Sequence, residues 1–130
     1  MSERFQITNI DEALKILENK DLTEVISKFK KDIDAELNFT GLYVSRKDLE
    51  DSIKDRVYDY FNTEYNELKS KISYLRKHGE DVNIIDFGLL MVPSKIKVLD
   101  AEFLLSNYNI ILDMIKKTKK DLTDYNLEDY

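Results

Sequence analysis

Apolar residues recur along one face of the stretch from Ser45 to Gly79, at Leu49, Ile53, Val57, Phe61, Tyr65, Leu68, Ile72 and Leu75. Steps of three and four are the signature of an amphipathic helix, so the spacing predicts one long central helix over residues 45–78. Both ends are written locally. Ser45 with Asp48 three residues later fits a capping box, and Arg76-Lys77-His78-Gly79 ends the run with cationic side chains and a glycine suited to a left-handed C-terminal residue. The stripe alternates threes and fours only from Phe61 to Leu75. Its first half steps by fours, so the helix presents two different packing surfaces.

The rest of the chain reads as elements that cover this spine. Residues 1–7 carry no helix start and are expected to form an extended or frayed, flexible arm, with Phe5 and Ile7 available to the core. Thr8 with Asp11 predicts the start of a short helix, and Asp21 with Glu24 starts a second that runs to Leu37, together an N-terminal helical hairpin over 8–37. Residues 38–44 are a connector in which Gly41 precedes an extended Leu42-Tyr43-Val44. Residues 82–92 are the most hydrophobic stretch, which periodicity alone reads as either a buried helix or a pair of short strands around Gly88; a helix opened by Asp81 is expected, ending at Val92 because Pro93 follows. A further helix follows Pro93, with Asn107-Tyr108-Asn109 its weak point. The periodicity then resumes at Tyr108, Ile111, Ile115 and Leu122, so residues 82–120 are expected to pack back along the spine. Residues 121–130 make an acidic, loose tail. The fold class expected is all-α, a bundle of about five to six helices in a single domain spanning 1–130.

Composition supports this picture and narrows the chemistry. The 130 residues are 42% hydrophobic and 35% charged, the balance of a folded, well-solvated domain. Three glycines and one proline leave few tight turns for a many-stranded sheet. Without cysteine there is no disulfide, thiolate metal site or cysteine nucleophile. The start of the sequence has no apolar core of a signal peptide and no run reaches membrane-spanning length, so a cytoplasmic location and no membrane partner are expected.

No motif for catalysis stands out. His78, the only histidine, fits a helix-end role better than that of a base or metal ligand, because no orienting acid or further ligand accompanies it. Glu80, Asp81 and Asp86 do not have the spacing of a calcium loop, and Asp48, Glu50, Asp51, Asp55 and Asp59 all lie along one helix, as a solvated face does. The three glycines are too far apart for a phosphate-binding loop. No catalytic residue, metal or cofactor is therefore assigned, and an enzyme is not expected.

Two surface features remain. Tyr58, Tyr60 and Tyr74 lie off the main stripe of the long helix, where aromatic residues suit a protein partner. This points to a non-enzymatic interaction or assembly module, self-associating through the long helix. The alternative is a nucleic-acid-associated factor that binds through Lys116, Lys117, Lys119 and Lys120, joined by Lys95 and Lys97 or by Arg46 and Lys47 if the fold gathers them. The net charge of −6 and the neighbouring Asp121, Asp124, Glu128 and Asp129 oppose that alternative.

Overall fold

A computed structural model describes residues 3–7, 9–33, 42–128 and 130. The protein is all-α. In chain order its elements are β1 (Arg4–Ile7), α1 (Ile10–Ile16), α2 (Lys20–Ile33), β2 (Leu42–Ser45), α3 (Arg46–Lys77), α4 (Asn83–Leu89), α5 (Val92–Ala101) and α6 (Leu105–Leu122). These residues cluster into two compact units, Met1–Val57 with Phe103–Leu105, and Tyr58–Glu102 with Ser106–Tyr130.

In the first unit, the N-terminal arm is extended rather than frayed and forms β1. Arg4, Phe5, Gln6 and Ile7 alternate polar and apolar, and they pair antiparallel with β2 in the register Arg4 to Ser45 through Ile7 to Leu42. Ile7 is fully buried. Asn9, rather than Thr8, caps α1: its Oδ1 accepts from the Glu12 N–H at 2.9 Å. Asn19 opens α2 in the same way, two residues earlier than Asp21, by accepting from the Leu22 N–H at 3.1 Å. Thr8, the expected helix end at Leu37 and the connector at 38–41 lie outside the described residues. The core gathers Ile7, Ala13, Leu22, Val25, Ile26 and Phe29 with Leu49, Ile53 and Val57 of α3. Arg46 joins three elements, donating from Nε to the Ile16 carbonyl at 3.0 Å, pairing with Glu18 at 3.3 Å and lying 5.4 Å from the Phe5 ring centre.

The ends of α3 follow the sequence closely. Ser45 Oγ accepts from the Asp48 N–H at 3.2 Å, and Gly79 adopts φ +84°. The N–H of Glu80 donates to the Leu75 carbonyl and that of Gly79 to the Arg76 carbonyl, which together make a Schellman stop.

In the second unit, Phe61, Leu68, Ile72 and Leu75 of α3 are buried with Leu89, Val92, Leu99, Tyr108, Ile111 and Ile115. The rings of Phe61 and Tyr108 lie 5.5 Å apart, whereas further along both helices Leu68 and Lys71 share a cavity wall with Leu122. Rising numbers on α3 thus meet rising numbers on α6. The two run in the same direction, and α4 and α5 make the return between them.

Three local expectations change here. The break between the last two helices falls at Glu102–Leu104, where Glu102 is extended, and not at Asn107–Asn109. Asn107 instead secures the break by donating from Nδ2 to the Glu102 carbonyl at 2.8 Å. Helix α4 ends at Leu89, before the expected Val92, and Pro93 lies in the first turn of α5, where its missing N–H costs nothing. The tail is held rather than loose. Tyr125 donates from its hydroxyl to the Asp81 carbonyl at 2.8 Å, and the Tyr130 ring meets Tyr74 edge-on at 5.5 Å.

Candidate interaction surface on α4 and α6

Helix α4 is apolar on two faces, and only one of them is covered. Val82, Leu89 and Val92 point inward and are buried. Ile84 and Phe87 point outward at 86% and 72% exposure, and Leu90 and Met91 beside them are also exposed. The stretch expected to be wholly buried is therefore the most open apolar part of the described surface. A helix that is apolar all round normally reads as fully buried, and that is why periodicity alone misplaces this one.

Ile84 and Phe87 lie at i and i+3 on one face of α4, and Met91, two residues past its end, lines the same groove. With Ile85 and Gly88 they make one wall of a groove of about 250 Å³, whose other wall is Met114, Lys117, Thr118 and Asp121 of α6. Ile110, four residues before Met114, continues that face of α6 and is exposed as well. Nothing lies within 4 Å of a Cβ built on Gly88, and its φ is not positive. Neither packing within the chain nor backbone geometry accounts for a glycine there.

Polar contacts fix α4 against α3. Asp86 is clamped by Lys69 and Arg76, each at 2.9 Å. Their hydrogen bonds hold its carboxyl below the usual carboxylate range. The first turn is secured from outside the helix: Val82 is the N-cap residue, and Asp81, expected to cap, accepts from the Asn83 N–H at 3.2 Å from one position further out. With its inner face buried and its side held by two cations, α4 presents the outer stripe on a firm support.

The tyrosines of the long helix lie in a different setting. Tyr58, Tyr60 and Tyr74 are each half-buried. The Tyr58 hydroxyl oxygen is buried. Tyr60 packs 5.7 Å from the Phe61 ring, and burial, reinforced by the charge and hydrogen bond of Glu64, pushes its hydroxyl up to about 12. Tyr74 lies between the rings of His78 at 4.3 Å and Tyr130. His78 is exposed at the end of α3.

The lysines of α6 have different surroundings. Lys119 pairs with Glu64 at 2.9 Å, Lys117 edges the apolar groove, and Lys116 and Lys120 are exposed. Arg46, offered as a distant addition to a basic patch, is taken up by Glu18 and the Ile16 carbonyl in the first unit.

A second cavity, of about 450 Å³, lies among α3, α6 and the tail. Its Glu64 and Glu67 are each matched by a lysine, Lys119 at 2.9 Å and Lys71 at 3.2 Å, so its charge is locally balanced. Among the described residues no group of three or more histidines and carboxylates is placed to hold a metal ion, and no helix is long and apolar enough to cross a membrane. None of the family models, curated proteins or solved structures compared with the chain matches it.

Proposed function

We propose that the protein is a non-enzymatic interaction module that docks another polypeptide on the outer face of α4 and the adjoining side of α6. One observation carries the reading: Ile84 and Phe87 stand 86% and 72% exposed on a stripe whose supporting helix is otherwise firmly packed. Burying a side chain of this kind contributes about 1.5–3 kcal/mol, which a partner recovers and the isolated chain forgoes. Patches of this character on otherwise charged surfaces mark contact sites. The aromatic side of α3 is less suited to this work, since Tyr58, Tyr60 and Tyr74 are half-buried within their own unit. Nucleic-acid binding through Lys116–Lys120 is disfavoured by the pairing of Lys119 with Glu64 and by the acidic overall charge.

The test is a photo-crosslinking amino acid placed at position 87 in cells of the native source, with position 55, on the charged face of α3, as the control. A discrete crosslinked polypeptide from position 87 and none from position 55 is the expected result. Silence at 87, or equal labelling at both positions, overturns the proposal.

A further inference from the structure

We infer that the occupant of the α4–α6 groove is a second copy of this chain, packed about a two-fold axis; the inference rests on the docking role proposed above. Three observations point to it.

The first is area. Ile84, Phe87, Leu90 and Met91, at 86%, 72%, 52% and 46% exposure, leave apolar surface on the order of 500 Å² open. A standard interface buries about 800 Å² on each partner, and in homodimers about 65% of that is apolar. The patch is the size of one half of such an interface.

The second is charge. Lys117 and Asp121 lie one helical turn apart on the edge of the groove, and neither forms an ion pair among the described residues. A two-fold axis sets residue i of one copy against residue j of the other and j against i. When the α6 edges cross antiparallel, Lys117 of each copy meets Asp121 of the other. A rim carrying both signs in this order complements itself, whereas a partner of uniform charge would meet one of them with repulsion.

The third is Gly88, exposed at the centre of the patch with open space where its Cβ would be. A glycine within a helix is less favourable than alanine. Its value is close approach, which lets the backbone of the second copy come near α4.

The experiment is sedimentation of the full chain over a range of concentrations. Wild type is expected to move from 15.4 kDa toward twice that mass as concentration rises. Phe87→Glu should remain at the single mass, with unchanged helical circular dichroism showing that it folds. Lys117→Asp and Asp121→Lys should each weaken association about fivefold, and the double reversal should recover wild-type association within about twofold. A wild type that stays at the single mass up to about 1 mM overturns the inference. So does a dimer that survives Phe87→Glu, or a double reversal no better than its singles. If the chain is monomeric while the crosslinker at position 87 captures a different polypeptide, the self-association fails and the docking role stands. If position 87 also captures nothing, both fail.

Discussion

Helix α4 offers a sharp test because two neighbouring apolar residues of similar size should respond in opposite ways. Leu89 is fully buried and Phe87 is 72% exposed, two positions apart on the same helix. Truncating Leu89 to alanine removes buried methyl groups and leaves a cavity, a loss of about 2–5 kcal/mol. Truncating Phe87 removes a ring that already faces water. Alanine's higher helix propensity returns a few tenths of a kcal/mol, so the net change in the isolated chain should stay within about 0.5 kcal/mol. For a chain of this length each kcal/mol moves Tm by about 3–6 °C, so Leu89→Ala should melt about 10 °C or more below wild type. Urea and thermal melts at two protein concentrations make the assay. The Leu89→Ala loss should be the same at both, whereas any loss in Phe87→Ala should grow with concentration, as stability gained from association does. A loss above about 2 kcal/mol in dilute Phe87→Ala, or a neutral Leu89→Ala, would refute the assignment of the two faces.

Asp86→Asn should cost about 1–2 kcal/mol at neutral pH, kept modest by the partial exposure of Lys69 and Arg76. Because the folded carboxyl is held below its unfolded value of about 3.9, its contribution is present above that pH and is lost as pH falls through the lower folded value. The gap between wild type and Asp86→Asn in melts should therefore close in strong acid; a gap independent of pH contradicts the clamp. Tyr60, with its hydroxyl pushed up to about 12, should be absent from the tyrosines that ionise near pH ~10 in an absorbance titration. Its raised value contributes stability that is present below pH ~10 and lost as pH rises through about 12. Tyr60→Phe should remove that late step, and an unchanged titration curve in Tyr60→Phe would count against the Glu64 environment. Gly79→Ala should lose about 1–2 kcal/mol to backbone strain at φ +84°, since nothing crowds its Cβ. Gly79→Asn should lose less in the same melt, and equal losses would mean that strain is not the cause.

The features legible in the sequence were those whose signals are local. Ser45 and Gly79 bracket α3 because a cap and a left-handed stop each depend on a few adjacent residues. The stripe from Leu49 to Leu75 is buried at every position but Tyr65, which is half-buried. Signals that depend on distant partners were harder to read. Strand β1 is four residues long, so its polar–apolar alternation is too short to mark a strand without its partner at residues 42–45. The acidic tail looked loose because its anchors, Asp81 and Tyr74, lie far away in sequence. Asparagine capped where threonine and aspartate were expected, at Asn9 and Asn19, because several side chains in a row are competent to cap and backbone entry selects one.

The candidate site was half legible. The spacing of Ile84, Phe87 and Met91 marks a helical face, but Val82, Leu89 and Val92 mark another just as well. The inward face is the one beside Asp86, which Lys69 and Arg76 hold against α3, contacts that no local pattern reports. Aromatic residues off the main stripe favour interfaces, but half-burial of Tyr58, Tyr60 and Tyr74 absorbs much of that surface within the chain.

The outer stripe of α4 should be open in the isolated chain and covered in the working one. Hydroxyl-radical footprinting, on the dilute purified protein and on the same protein in its native extract, measures both states. Phe87 and Met91 should label fast when dilute and be clearly protected in the extract, with Tyr43, exposed in the first unit, labelled alike in the two. Slow labelling of Phe87 and Met91 in the dilute chain, or equal labelling in both conditions, would contradict this expectation.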